Sequence, residues 1–162
     1  MRVFVEQEAI LTLFEETRSA TLSAIAELDW TLPLEEFGWR GADILHHLTA
    51  WELEVARALA AEQAGQPYTP PDSRAIFNLF VFQTQRNTSP EQAVERWQAA
   101  RAEVIERVLA LEWPAYGRRL NTPGGWLFIG ELAKQLIAHE QNHIRAVLRQ
   151  AGRDQPYDTW GG

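Results

Sequence analysis

Four long segments of this chain carry apolar side chains at helical spacing, and proline and glycine separate each from the next, so the chain is built to pack helices. From Phe4 to about Leu28, the positions Val5, Ala9, Leu13, Ala20, Ala24 and Leu28 recur on one side, with Glu15, Glu16 and Arg18 outside. A second run, Gly41 to Ala64, closes on Gly65 and Pro67, a fitting C-terminal stop. Residues 65–73 are too rich in proline and glycine for regular structure, and Arg74 to Arg86 reads as a shorter helix inside a long crossover. Ser89-Pro90-Glu91-Gln92 spells a helix start: Ser at the N-cap, Pro at the first position and Gln92 to complete a capping box. The third long helix runs from there to about Leu111. Leu120 to Gly125 reads as a turn-rich break, and Trp126 to Ala151 as the fourth helix. Strand signals and internal repeats are absent. The expectation is an all-α fold, a four-helix bundle over residues 1–152 with a long crossover between helices two and three, followed by a tail at 153–162.

Composition narrows the chemistry. The chain has 162 residues, enough for one domain with a core that needs no covalent staples. It contains no cysteine, so a metal site must use histidine, carboxylate or water, and any thiol chemistry must import its thiol. The net charge is −7; residues 1–72 carry 13 acids and 4 bases, and the arginines of the remainder are dispersed, so the basic footprint of a nucleic-acid-binding surface is missing. No run of 18 apolar residues suggests a membrane span, and Met1 to Ala9 lacks the apolar core of a secretory signal, so a cytoplasmic location is expected.

The four histidines, His46, His47, His139 and His143, all fall inside helical segments. His139-Glu140-Gln141-Asn142-His143 places two imidazoles one helical turn apart and also spells the zinc-protease pattern, with Glu140 as its general base. Leu132, Leu136, His139, His143 and Val147 advance by steps of four, three, four and four, which turns both histidines toward the core. Side chains so spaced lie about 5–6 Å apart at Cβ, close enough for one cation to bridge. Glu140 is rotated by roughly 100° and borders that stripe, which makes it a candidate for the pocket. On the second helix His47 shares its stripe with Ile44, Trp51, Val55 and Ala58, whereas His46 shares a face with Ala50, Leu53 and Arg57 and reads as a solvated or packing residue. If these helices meet across the bundle, His47, His139 and His143 supply three nitrogens and leave coordination positions open, as reactive metal sites do. A protease-like site would need a third ligand on a neighbouring helix or downstream, where only Asp154 and Asp158 remain.

The segment Trp39-Arg40-Gly41-Ala42-Asp43-Ile44-Leu45-His46-His47-Leu48-Thr49-Ala50-Trp51-Glu52 resembles the second-helix signature of the DinB superfamily, and His139-x-x-x-His143 resembles its other half. The likeness spans nearly the whole chain, from the first helix to about Arg149. Carried over residue by residue, it assigns metal ligation to His47, His139 and His143. What it implies is a bundle holding a divalent metal, zinc or nickel, near one end, and in some members transferase or isomerase activity with a low-molecular-weight thiol. Expected partners are a small-molecule substrate or ligand and a second copy of the chain as a homodimer, with no nucleic acid and no membrane.

Trp39, Trp51 and Trp126 are candidates for walls of the pocket, although aromatics at helical spacing more often belong to a core. Asn78 stands among Phe77, Leu79 and Phe80, where its amide either points into the site or caps the short helix. Arg118 and Arg119 could clamp a substrate carboxylate or be solvated surface groups. Thr122-Pro123-Gly124-Gly125 is a turn without the features of a phosphate loop. Two classes of function follow: a metal-dependent enzyme, thiol-transferase-like, isomerase-like or hydrolase-like, or a non-catalytic bundle that binds a metal or ligand.

Overall fold

A computed structural model describes residues 2–34 and 38–150. Four long helices make the bundle: α1 (Arg2–Ala26), α2 (Gly41–Gln63), α4 (Pro90–Leu109) and α6 (Leu132–Gln150). A shorter helix, α3 (Arg74–Gln85), lies in the crossover between α2 and α4, and a single turn, α5 (Trp113–Tyr116), follows α4. The expected four-helix pattern with its crossover is thus present; the proposed tail at 153–162 lies outside the described residues. No helix among the described residues is long and apolar enough to cross a membrane.

Local chemistry explains where the long helices begin. Ser89 Oγ accepts from the Gln92 N–H at 3.2 Å, and Gln92 Oε1 accepts from the Ser89 N–H at 3.2 Å, the reciprocal cap expected of that sequence. At α2 the Asp43 carboxylate accepts from the Arg40 N–H at 2.8 Å. Gly41 opens this helix because the loop ahead of it packs close: a Cβ there would run into Leu28 Cδ2 and crowd Trp30.

In the interior, α2 packs along α4, α1 along α6, and α2 also touches α6 and α3. One apolar cluster joins Phe14, Val55, Leu59, Val104 and Ile137; the other joins Leu45, Leu48, Trp97 and Ile144 near the start of α2.

The expected absence of strands is corrected. β1 (Arg119–Thr122) and β2 (Gly125–Phe128) form an antiparallel hairpin pairing Leu120 with Leu127 and Thr122 with Gly125. Each strand has four residues, too few to display period-two alternation beside a Pro-Gly-Gly turn. Thr122 Oγ1 locks the turn by donating to the Gly125 carbonyl at 2.8 Å and accepting from the Gly124 N–H at 3.2 Å. Gly125 takes φ of 111°, a conformation that suits glycine. As a result α6 starts at Leu132 after a 3-10 turn (Ile129–Glu131), and Trp126 belongs to β2 instead of the last helix.

Candidate metal centre

α2 and α6 bring His47, His139 and His143 together at one end of the bundle. One potential ligand atom from each imidazole lies within 4.8 Å of the others, and among the described residues no further histidine or carboxylate joins them. The ring centroids are 4.6–5.0 Å apart in pairs. His47 Nε2 and His139 Nε2 approach to 3.0 Å. Nitrogens bound to one tetrahedral zinc at about 2.0 Å sit roughly 3.3 Å from each other, so this cluster fits a single small cation with minor adjustment.

The tautomer of His47 follows from its neighbours. Trp51 Nε1 can only donate, and it donates to Asn78 Oδ1 at 3.2 Å, which identifies that atom as the carbonyl oxygen. The same oxygen lies 3.1 Å from His47 Nδ1, so Nδ1 carries the proton and donates. The Nε2 lone pair of His47 is therefore directed at His139, and the bond to Asn78 fixes the orientation of the ring. Trp39 completes the surround, its ring 5.2 Å from His47 and stacked at 17° over His143.

Burial, reinforced by the neighbouring His143 and His139, pushes His47 down to about 3. Burial and then His143 push His139 down to about 4. Both imidazoles are thus neutral near pH 7, the form that ligates metal. The same shifts predict the acid response of the metal-free protein. Because these folded-state values lie below the unfolded value of about 6.5, the unfolded chain binds more protons, and stability falls as pH drops from about 6.5 toward 4. Urea midpoints measured between pH 7.5 and 4.5 should show that fall, and a His47→Gln/His139→Gln protein should show a shallower one; identical profiles would refute it.

Glu140 plays a different part from the one its sequence motif suggests. It is 0% exposed, and Thr21 Oγ1 and Arg101 Nη2 both donate to its carboxylate, the latter at 2.5 Å. Arg101, also 0% exposed, donates to Glu52 through Nε at 3.0 Å and Nη2 at 2.5 Å, and its guanidinium lies 4.7 Å over the Phe14 ring. Burial raises the Glu52 carboxyl above the usual range, against the opposing pull of Arg101. This network ties α6 at Glu140, next to His139, to α2 at Glu52, through α4. With its carboxylate committed to Thr21 and Arg101, Glu140 is neither a surface group, nor a lining residue of the cavity beside the imidazoles, nor a free base for a zinc-protease reaction. Asp154 and Asp158, the other donors that reaction would need, lie outside the described residues.

A cavity of about 580 Å³ opens onto the imidazoles. Trp39, His47, Trp51, Asn78, His139 and His143 line it, together with Val55, Leu132 and Leu136 from the helices and Thr122, Pro123, Gly124 and Leu127 from the hairpin. Trp126 does not: it is 61% exposed, with the Arg119 guanidinium 5.8 Å over its ring. Alternation along β2 turns Leu127 inward and Trp126 outward. Arg118 pairs with Glu62 at 2.9 Å, and neither it nor Arg119 lines the cavity. His46, expected as a packing or a solvated residue, is the former: it is 4% exposed, because α4 and the crossover helix cover that side of α2. Sequence reasoning missed Arg101 and Arg74. Arg101 had a visible signal, since it falls on the apolar stripe Ala93, Trp97, Val104 and Val108 of α4. Arg74, which lines the cavity, had none.

No curated protein and no solved structure matches the chain. The DinB superfamily model matches residues 13–147, a span that holds the bundle and all three clustered histidines, and the chain belongs to that superfamily.

Proposed function

We propose that this protein is a metal-dependent enzyme acting on a small molecule, with His47, His139 and His143 holding one divalent cation. The observation that carries this reading is the convergence of three imidazoles, without a fourth ligand among the described residues, on the floor of a cavity large enough for a substrate. Zinc or nickel suits a nitrogen donor set of this kind. When bound, such a cation supplies Lewis acidity, which at neutral pH makes a water or a thiol a stronger nucleophile. The chain contributes the rest. Asn78 fixes the His47 ring, the Glu52–Arg101–Glu140 network holds α2 and α6 in register, and Trp39 and Trp51 exclude water from one side. With no cysteine of its own, the protein would need a low-molecular-weight thiol for transferase or isomerase chemistry; a hydrolase would need only water.

Protein purified from metal-replete medium should contain about one zinc or nickel per chain by elemental analysis, in keeping with one triad. Metal-loaded protein should accelerate either thiol conjugation to 1-chloro-2,4-dinitrobenzene or ester hydrolysis, and chelation should abolish that rate. Tight binding of one cation with no difference in turnover between loaded and chelated protein, across thiol and hydrolytic screens, would reduce the site to a binding function.

A further inference from the structure

The polar inventory of the cavity says what kind of molecule it is shaped for. Asn78 Oδ1 is committed to His47 and Trp51, and Thr122 Oγ1 is committed to the hairpin turn. Arg74, Gln135 and the donor N–H₂ of the Asn78 amide remain, and Arg74 is the only formally charged lining residue among those described. No described carboxylate is paired with Arg74, although the protein carries a net charge of −7. A guanidinium without a carboxylate partner among the described residues, at the exposed edge of a cavity in an acidic protein, can serve as a local anion receptor in an otherwise unfavourable field.

Helix geometry sets where that receptor lies. Arg74 precedes Asn78 by four residues on α3, and Gln135 precedes His139 by four on α6, so each sits one turn, roughly 6 Å along its helix, from the imidazole layer. Trp51, Leu127 and Leu136 line the same cavity and offer an apolar body little to hydrogen-bond. The planar fork of Arg74 matches a carboxylate through two parallel N–H···O bonds, and the apolar remainder of the lining suits the body of a monoacid. We infer that the cavity takes a small carboxylic acid with a compact apolar body, its carboxylate held by Arg74 at the mouth and its body lying against Trp51 and the apolar lining toward the three histidines. This rests on reading the cavity as the substrate site of a metal enzyme, and it makes Arg74 a specificity-determining residue.

The test titrates 3-phenylpropanoate and its neutral amide, 3-phenylpropanamide, into metal-free and zinc-loaded protein, followed by calorimetry and by tryptophan fluorescence. The metal-free arm matters because a carboxylate could otherwise ligate the cation. Wild type should bind the acid about tenfold more tightly than the amide with or without zinc, as expected for a charge-assisted hydrogen bond. Arg74→Gln should bind both alike, Arg74→Lys should recover part of the preference, and both variants should keep the wild-type zinc affinity and helical circular dichroism. Equal binding of acid and amide by metal-free wild type, binding of neither, or a preference that survives in Arg74→Gln would overturn the inference. Failure of wild type to bind zinc would instead count against the metal site, and the metal-free titration would still decide the role of Arg74.

Discussion

His47→Ala and His143→Ala proteins should each lose affinity for zinc by a hundredfold or more, whereas His46→Ala should bind it nearly as wild type does. The asymmetry follows from geometry. His47 Nε2 lies 3.0 Å from His139 Nε2 in the cluster, but His46, one residue earlier, is turned by about 100° around α2 and points away from it. Deleting one of three nitrogens leaves two, which cannot enclose a tetrahedral ion. Loss of an orienting partner alone costs roughly 10–100-fold, so removal of a ligand should exceed that, and Asn78→Ala should fall within it. Competition titrations against a chromophoric chelator would measure all four. A His47→Ala protein that retains wild-type affinity would sink the triad, and equal losses in His46→Ala and His47→Ala would mean that the effect is one of folding.

Arg101→Met should destabilise the bundle by about 3–5 kcal/mol, because it strands two carboxylates in the interior. Glu52 and Glu140 are 2% and 0% exposed, and the guanidinium supplies two bonds of 2.5 Å between them. The variant's deficit should shrink on acidification: a buried carboxylate without its cation has a folded-state pKa above its unfolded value, so the stability it permits is present at low pH and is lost as pH rises through the folded pKa. Replacing all three side chains together, Glu52→Met/Arg101→Met/Glu140→Met, should cost less than the single change, since no charge is then left unpaired. Urea unfolding of the three proteins at pH 7.5 and 5 decides it. A single variant within about 1 kcal/mol of wild type would show the network to be dispensable for stability.

The helices were legible in the sequence because each announces itself locally. Ser89 to Gln92 forms a reciprocal cap within four residues, and the stripe Leu132, Leu136, His139, His143 and Val147 needs only the helical period to reveal which way the imidazoles face. The choice of His47 over His46 was legible for the same reason. The four-residue strands were not, since pairing Leu120 with Leu127 depends on a register that so short a run does not encode. Burial around α2 and α6 was also beyond local reading. Whether His46 is solvated depends on how α4 lies across it, and whether Glu140 is a base or a buried anchor depends on Arg101, 39 residues away in the chain. Periodicity determined the direction of each side chain from its own helix axis, and with it which histidines could converge; only packing decided what stood opposite, and therefore which carboxylate is neutralised and which arginine faces the cavity.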